Sequence, residues 1–412
     1  SARGDQVEKA VHYSLLAGQR ALGRSANREA LQLLGDAVAL CERLPDTRQR
    51  DEHELALQLA RGQAALAHYG YAAHETADVF ARARELAERL GKAEQSFETL
   101  YGLYASNTIN GRLNLAGELG QRFLGLASQL EHRAYQCIGH RMLGVVKVYR
   151  GQLAAARNDL ESAIALYDPN EHRGLALRFG TDIGVTALNY LGWTDSIMGR
   201  PEAAIAHVDR AIEQARQSDH ALSLAQSLHM RCFVQAAIRD YPALLASSEA
   251  ALRYCEEKNL GYFLFWARNF KALAEAMLGL PDALLTLRTR LPELPDFNRS
   301  VAIWWFHAWV AEVLLALGNP AEAQAEIELA EALAAASNEC WGVAELARLR
   351  AACLLAQGPA NEIAAEGCLQ HGIAQARQIG ALTFELRAAL ELYRLLVDRG
   401  REPEAKNVLE AL

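Results

Sequence analysis

The sequence predicts an all-α fold, an α-solenoid built from about ten antiparallel helical hairpins. Three observations lead to this prediction. Helix-breaking residues recur every 39 to 48 positions, amphipathic stretches flank them, and prolines follow most of them within a few residues. Because a solenoid grows by adding hairpins, a chain of 412 residues needs no single central core.

The helix-breaking residues define the turns of the predicted hairpins. They are Gly23, Gly70, Gly111, Gly151, Gly199, Arg239 (in RDYP), Gly279, Gly318, Gly358 and Gly400. Glycine reaches the left-handed conformation that ends a helix without a steric penalty. Each position is therefore predicted to join two helices in a tight turn.

The segment around Gly151 shows the helical pattern on both sides of a turn. Apolar residues before it follow helical spacing: Ile138, Met142, Leu143, Val145, Val146 and Tyr149. Apolar residues after it form a second helical stripe: Leu153, Ala156, Leu160, Ala163, Ile164 and Tyr167. This spacing predicts two amphipathic helices that pack against each other.

Proline positions agree with this register. Six of the ten prolines lie one to three residues after a turn position: Pro201, Pro242, Pro281, Pro320, Pro359 and Pro403. Proline is tolerated in the first turn of a helix but costs about 3 kcal/mol in the interior. Pro45 and Pro169 lie where second helices should end, and Pro292 and Pro295 mark an irregular connection after the seventh hairpin.

Small residues recur at fixed positions within the hairpins. Leu-Gly pairs place Gly144 and Gly192 seven residues before a turn, and alanines follow the turn after five and twelve residues. Those alanines are Ala156, Ala204 and Ala323, then Ala163, Ala211 and Ala330. This order resembles the tetratricopeptide repeat, although that repeat is usually about 34 residues long. The resemblance implies one continuous array over residues 1–412, coiled as a right-handed superhelix, without domain linkers.

Composition excludes several classes of partner and compartment. The chain is 51% hydrophobic and 22% charged with a net charge of −8, so no basic surface for nucleic acid is expected. The apolar run from Val301 to Leu317 contains His307 and Glu312 and is shorter than the roughly 20 residues of a membrane span. Seven scattered cysteines without a CxxC pair argue against disulfides and zinc, and predict a cytoplasmic protein.

Four long stretches resemble a particular group of bacterial signalling proteins. They read VHYSLLAGQRALGRSANREALQLL, LALQLARGQAALAHYGYAAHETADVFARARELAERLG, ALYDPNEHRGLALRFGTDIGVTALNYLGW and FELRAALELYRLLVDRGREPEAKNVLEAL. They are similar to the C-terminal repeat region that follows an AAA/STAND-type ATPase and either a class III nucleotide cyclase or a winged-helix domain. The resemblance implies a regulatory arm. Since the chain begins SARGDQ without Met, we expect that upstream domains have been removed.

The residues give no indication of an enzyme in this segment. No phosphate-binding loop is present, because the only Gly-Lys, Gly91-Lys92, lies at a predicted helix end. No nucleophile elbow occurs, and the pairs His74/Asp78 and Cys368/His371 each lack further ligands for a metal. We therefore expect no catalytic residues, no metal and no cofactor.

Aromatic residues suggest a binding groove. Five of the six tryptophans fall between Trp266 and Trp341. The first helix of each hairpin in a tetratricopeptide array lines the concave groove, and the register places these residues there: Arg141, Asn189, Trp193, His229, Phe233, Trp266, Asn269, Trp305, Trp309, Glu312 and Arg348. Buried aromatic anchors with polar neighbours could hold a peptide or a small molecule. Packing between long helices is the alternative role for many of them.

A second candidate lies in the long interval between Gly151 and Gly199, where residues 167–184 read YDPNEHRGLALRFGTDIG. Its charged residues are His172, Arg173, Arg178 and Asp182. They could bind a polar or anionic ligand or lock the array against the ATPase. Alternatively, proline and glycine at helix ends explain the segment structurally.

These observations favour a non-catalytic module that binds a protein segment or effector in its groove and controls an upstream ATPase and cyclase. The alternative is the inducer-sensing arm of a STAND-type transcription activator, in which a small molecule occupies the same groove. The sequence leaves the ligand, the oligomeric state and the direction of regulation open.

Overall fold

A computed structural model describes residues 2–24, 26–69, 74–91, 93–280 and 301–412. Within these ranges the regular structure is helical throughout, and no β-strand occurs. The predicted all-α array of tetratricopeptide-like hairpins is thereby confirmed. Gly70 and the prolines Pro281, Pro292 and Pro295 lie outside the described residues.

The helices follow one another in antiparallel pairs. The first half contains α1 (Ala2–Gly23), α2 (Asn27–Cys41), α3 (Arg48–Tyr69), α4 (His74–Leu90), α5 (Ala93–Ile109), α6 (Leu113–Gln129), α7 (Arg133–Tyr149), α8 (Leu153–Leu166), α9 (Pro169–His172), α10 (Ala176–Phe179) and α11 (Ile183–Ile197). The second half contains α12 (Pro201–Ser218), α13 (Ala221–Ile238), α14 (Tyr241–Glu257), α15 (Gly261–Met277), α16 (Ile303–Ala316), α17 (Pro320–Ser337), α18 (Val343–Ala356), α19 (Glu362–Ile379), α20 (Leu382–Asp398) and α21 (Glu402–Glu410). Short 3-10 turns precede α10 and α19.

Eight of the nine predicted turn residues within the described ranges close their hairpins through backbone with positive φ, whereas Gly23 has no positive φ and is the last residue of α1. Positive φ angles occur at Gly111, Gly151, Gly199, Arg239, Gly279, Gly318, Gly358 and Gly400. At Gly151 the turn N–H donates to Val148 O at 2.9 Å, and the next N–H, of Gln152, donates to Lys147 O at 2.9 Å. This pair of bonds satisfies carbonyls that the end of α7 would otherwise leave unpaired.

The recurring small residues bring the two helices of a hairpin close together. A Cβ placed on Gly144 would lie 2.7 Å from Leu160, and one on Gly192 would lie 2.8 Å from the backbone oxygen of Ala204. A larger residue at Gly192 would therefore press against backbone, which cannot move as a side chain can.

The superhelix closes on itself along a line of contacts that we call the seam. Val301 N donates to Ile109 O at 2.8 Å, and Cys340 N donates to Tyr149 O at 2.9 Å. Further along, Thr383 Oγ1 donates to Ser196 O at 2.6 Å. The accepting carbonyls lie at the C-terminal ends of α5, α7 and α11, where helices lack internal partners. The chain from Val301 onward thus caps first helices that lie nearly 200 residues earlier.

Arginine side chains continue the seam. Arg387 donates to the carbonyl of Ala237, near the end of α13. Arg239, the turn residue that follows α13, pairs with Glu312 on α16 and with Glu345 on α18. These contacts join the sixth hairpin to the last three.

The long interval before Gly199 holds two short helices, α9 and α10, with a 3-10 turn between them. The Asp168 side chain accepts the N–H of Asn170 at 2.8 Å and so caps α9. Gly180 has φ +80°, and the Asp182 side chain accepts the N–H of Val185 at 3.0 Å and caps α11. The inserted residues are thus an ordered connection between α8 and α11.

None of the helices in the described part of the chain combines the length and apolarity that a membrane crossing requires.

Candidate functional site

A cavity of about 90 Å³ lies on the concave side of the array. First helices of five successive hairpins, α5, α7, α11, α13 and α15, supply most of its walls. The lining residues are Tyr101, Tyr104, Ala105, Thr108, Ile109, Arg141, Val145, Tyr149, Thr181, Thr186, Tyr190, Trp193, Gln226, His229, Met230, Phe233, Tyr262, Phe263, Trp266, Val301 and Ala302. The cavity therefore lies where a tetratricopeptide array places its groove.

Arg141 brings a positive charge to the wall of the cavity. Its guanidinium carbon lies 4.9 Å from the centre of the Tyr101 ring and 5.9 Å from that of Tyr104. Only 4% of the residue is exposed. A guanidinium over an aromatic face gains electrostatic attraction that strengthens as water is excluded.

Tyrosine hydroxyls make the aromatic wall polar. The hydroxyls of Tyr149 and Tyr190 lie 3.2 Å apart, and that of Tyr104 donates to Met142 O at 3.0 Å. Burial raises the pKa of Tyr104 and Tyr190 above the ordinary value for tyrosine. Both hydroxyls therefore stay protonated at neutral pH, that of Tyr104 as the donor to Met142 O and that of Tyr190 beside the hydroxyl of Tyr149.

His229 is held neutral among aromatic rings. Its ring centre lies 5.1 Å from that of Trp266, 5.5 Å from that of Phe270 and 5.9 Å from that of Phe263. Burial disfavours the imidazolium and lowers the pKa of His229 to about 3. At pH 7 the side chain contributes one donor and one acceptor but no charge.

The cavity is also lined by Val301 and Ala302, which precede α16 and which we call its cover. The Ala302 N–H donates to both carboxylate oxygens of Glu339, at 3.1 and 3.0 Å. Trp341 Nε1 and Ser337 Oγ donate to the same carboxylate, at 2.9 and 2.8 Å. Glu339 thus fixes the cover from the beginning of the ninth hairpin. Burial raises the pKa of Glu339, although these donors oppose the shift.

The cavity brings together five of the residues that the register placed in the groove. They are Arg141, Trp193, His229, Phe233 and Trp266. Asn189 and Asn269 are buried beside it, where Asn189 donates to Ser227 Oγ at 3.0 Å and Asn269 donates to Phe265 O at 2.9 Å. The Asn189 amide therefore joins α11 to α13, whereas the Asn269 amide bonds to a carbonyl of its own helix, α15.

The other four predicted groove residues lie further along the array. Trp305 and Trp309 are buried in the aromatic core, with ring centres 5.8 Å apart. Glu312 and Arg348 pair with each other at 2.9 Å, in the charged part of the seam. Closure of the superhelix fills this half of the concave face with protein.

The four residues of the second predicted site make separate contacts. His172 Nδ1 accepts the N–H of Asp168 at 3.0 Å, and Tyr167 donates its hydroxyl to Asp182 at 2.7 Å. Arg178 pairs with Glu98 on α5 at 2.5 Å. Arg173 is exposed. These contacts hold the connection before α11 in place.

Sequence reasoning missed the tyrosines of the cavity, although the register contains a signal for one of them. Arg141 and His229 lie ten residues before their turns, and Tyr101 occupies the same position before Gly111. Tyr149, Tyr190 and Tyr262 do not share that position, so the register could not have found them. In the described ranges no group of three His, Cys, Asp or Glu residues is arranged to bind a metal ion.

Comparison with curated proteins gives a distant sequence relative. No protein-family model matches the chain. An uncharacterized protein of Rhizobium meliloti is 23% identical over 403 residues, which cover 96% of this chain and 39% of the relative. The chain thus spans about two fifths of the length of that curated relative.

Solved structures resemble the chain in fold. A Rap protein complexed with competence and sporulation factor is 14% identical, with a TM-score of 0.55 over 96% of this chain and 99% of that chain. The Rap conjugation gene regulator of plasmid pLS20, in complex with the Phr* peptide, is 12% identical, with a TM-score of 0.53 over 90% of this chain and 96% of that chain. At these identities the likeness concerns the helical-repeat fold alone.

Proposed function

We propose that this chain is a non-catalytic regulatory and scaffold module that binds a protein segment or a small effector in its concave cavity. The observation that carries the proposal is the convergence of side chains from five successive first helices on one cavity. Aromatic walls with a few polar groups are typical of binding sites. The lining offers hydroxyls, indoles, one guanidinium and a neutral imidazole, which suit recognition better than bond breaking.

Two similar structures support a peptide or protein ligand. Both are Rap proteins, one solved with the competence and sporulation factor and the other with the Phr* peptide. A helical array with a concave aromatic wall can bind an extended segment by burying its side chains in pockets. We extend this mode of binding to the present chain as part of the proposal.

We further propose that occupancy of the cavity controls an ATPase and a nucleotide cyclase upstream in the same protein. The chain matches 39% of its Rhizobium relative, which leaves most of that protein for other parts. Val301, in the cover of the cavity, donates to Ile109 O across the seam, and Ala302 donates to Glu339. A ligand that contacts the cover would therefore affect contacts between the two halves of the array. Such a contact would couple ligand binding to the arrangement of the hairpins in the whole array.

The second candidate is the inducer-sensing arm of a STAND-type transcription activator. The small volume of the cavity and its cover at Val301 and Ala302 favour this reading. A cavity of about 90 Å³ fits a small molecule or one side chain more readily than a whole peptide.

A selection from random ten-residue peptides tests the proposed function. Displayed peptides are selected on the wild-type chain and then measured by calorimetry against Val145→Phe, in which the larger side chain fills the cavity. Leu115→Phe, on an exposed position of α6, is the matched control. We expect at least tenfold weaker binding to Val145→Phe and unchanged binding to Leu115→Phe. Equal binding to both variants would place the peptides elsewhere and overturn the assignment of the cavity.

A further inference from the structure

The connection between α8 and α11 is a loop with a closed base, residues 168–181, which we call the inserted loop. Tyr167 donates its hydroxyl to Asp182 at 2.7 Å, so the residues on either side of the loop are bonded to each other. The Tyr167 ring also packs on Gly184, where a Cβ would lie 2.5 Å from it. Compact loops whose ends lie close together are frequently functional. Because its base is bonded, the inserted loop can move while α8 and α11 stay in place.

Phe179, near the end of the inserted loop, is buried among helices that precede it in the chain. Its ring centre lies 5.1 Å from that of Tyr101 on α5, 6.4 Å from that of Phe123 on α6 and 6.0 Å from that of Tyr135 on α7. Phe179 is 0% exposed. Aromatic rings that fill well-packed pockets contribute much of the affinity of protein interfaces. Phe179 therefore occupies a pocket of the kind that anchors a bound segment.

Arg178 makes the polar contacts that a bound segment would make. Its Nε donates to Glu98 on α5 at 2.5 Å, and its guanidinium carbon lies 6.0 Å from the centre of the Tyr135 ring. Its carbonyl oxygen accepts the side-chain amide of Gln63 on α3, at 2.5 Å. In peptide recognition, bonds to the main chain contribute affinity and contacts with side chains contribute specificity. Residues 178 and 179 thus lie on first helices of the array as a peptide would.

The inserted loop separates this surface from the cavity. Thr181, the last residue of the loop, lines the cavity, and Tyr101 both lines the cavity and contacts Phe179. The cavity of about 90 Å³ is small for a peptide. Because Tyr101 belongs to both, the cavity and the surface on α3 and α5 would become continuous once residues 178 and 179 left. The longer groove would then accommodate an extended segment.

Resting on the proposed function, we propose that α3, α5 and α7 form a peptide-binding surface that the inserted loop occupies, and that the protein segment recognised by the module displaces the loop. The segment presents an arginine followed by a large aromatic residue. Its arginine replaces Arg178 at Glu98, and its ring replaces Phe179 in the pocket. The loop is an internal competitor, so it lowers the apparent affinity in proportion to the fraction of molecules in which the surface is free.

Calorimetry with a synthetic peptide tests the inference on the full chain. The peptide GLALRFGTD, with blocked ends, repeats residues 174–182. Arg178→Ala combined with Phe179→Ala removes the competitor and leaves the surface intact, whereas Glu171→Ala changes an exposed residue of the same loop. We expect the double variant to bind the peptide at least tenfold more tightly than the wild type and Glu171→Ala do. The same peptide with alanine in place of its arginine and phenylalanine should bind to none of them.

A charge on the surface locates the binding. Glu98→Gln, added to the double variant, removes the carboxylate that would pair with the peptide's arginine, and Glu118→Gln does the same at an exposed position of α6. We expect at least fivefold weaker binding with Glu98→Gln and no change with Glu118→Gln, since a charge-assisted bond is lost only in the first. Where the double variant fails to fold, Phe179→Leu keeps an apolar side chain in the pocket and replaces it in both comparisons.

The inference fails separately from the proposed function. Equal binding of GLALRFGTD by the wild type and the loop variants, or binding unaffected by Glu98→Gln, would overturn it. The contacts of residues 178 and 179 would then only hold the connection in place. If selected peptides bind in a Val145-dependent way while GLALRFGTD does not bind, the inference is wrong and the proposed function remains. If neither GLALRFGTD nor any selected peptide binds, both are wrong.

Discussion

At the scale of single residues, the cavity depends on polar groups that are kept in one protonation state. His229 lies among Phe263, Trp266 and Phe270, and burial lowers its pKa from 6.5 to about 3. The unfolded chain would take up a proton at this residue near pH 6.5, whereas the folded chain would not. Its folded pKa is depressed, so stability is complete above pH 6.5 and is lost as the pH falls toward 3.

This difference predicts a pH-dependent stability that His229→Phe removes. Between pH 8 and pH 5, His229 should cost the wild-type protein about 2 kcal/mol of unfolding free energy. His229→Phe keeps a ring in the same place but cannot titrate. Its free energy of unfolding should therefore fall by about 2 kcal/mol less than that of the wild type between pH 8 and pH 5. Urea unfolding at both pH values measures the difference, and equal losses in the two proteins would contradict a buried neutral His229.

Gly192 provides a second prediction at this scale. A Cβ at Gly192 would lie 2.8 Å from Ala204 O, whereas one at Gly117 in α6 would meet nothing closer than Val146, at 3.7 Å. Alanine raises helix propensity by up to about 1 kcal/mol over glycine. Gly117→Ala should therefore stabilise the protein slightly, while Gly192→Ala should destabilise it by about 1–3 kcal/mol through overpacking. Thermal unfolding of both variants checks the signs, and a stabilised Gly192→Ala would refute the close approach.

At the scale of helices, local signals predicted the hairpins well because they act over a few residues. Left-handed glycines and first-turn prolines determine where a helix ends or begins, whatever packs against it. The eight described turn positions with positive φ include Arg239, which the spacing identified although it is not glycine. The order of α9, the 3-10 turn and α10 was not predictable, because Pro169 and Gly180 show breaks but not which short helices form between them.

Buried charges join helices that the sequence separates widely. Glu345 on α18 pairs with Arg239, Arg348 and Arg387. Burial disfavours the charged form of Glu345, but the positive charges of the three arginines outweigh this effect and lower the pKa of Glu345 below its usual range. A buried carboxylate of this kind depends on its partners, since an uncompensated charge in the interior is costly.

Two arginines of α18 allow a matched test of this cluster. Arg348 has 5% of its side chain exposed and pairs with Glu312, Glu345 and Glu391, whereas Arg350 has 39% exposed and pairs with Glu331. Arg348→Met should destabilise the protein by about 3–5 kcal/mol, because it removes the positive charge paired with Glu391 and one of the three arginines that compensate the buried Glu345. Arg350→Met should cost less than about 1 kcal/mol. Chemical denaturation measures both changes in the free energy of unfolding. Similar losses in the two variants would show that burial does not determine how much these ion pairs contribute to stability.

At the scale of the whole molecule, closure of the superhelix determines the site and could not be predicted. Rotation from one hairpin to the next is small, and its sum over several hairpins decides whether Val301 meets Ile109. No residue pattern near Val301 or Ile109 predicts the total rotation of the hairpins between them. The register therefore identified wall residues such as Arg141 and His229, but it also assigned Trp305 and Trp309 to a groove whose far half is filled by the closed array.

Closure also predicts that contacts across the seam stabilise both halves of the array against local opening. Ordinary repeat arrays couple only neighbouring hairpins, and a local change fades within one or two repeats. Here Thr383 and Arg387 on α20 donate to carbonyls of Ser196 and Ala237, at the ends of α11 and α13. Replacing both donors, as Thr383→Val with Arg387→Met, should weaken the seam and lower the free energy of opening in α11 and α13.

Native-state hydrogen exchange measures this long-range effect directly. The double variant should exchange amides at the ends of α11 and α13 about tenfold faster or more, since each lost bond contributes about 1 kcal/mol. Arg394→Met, at an exposed position of the same helix, is the control and should leave those amides unchanged. If the double variant accelerated exchange only within α20 and its sequence neighbours α19 and α21, the seam would carry no coupling. In that case a ligand beneath Ala302 would have no route through these contacts to the rest of the array.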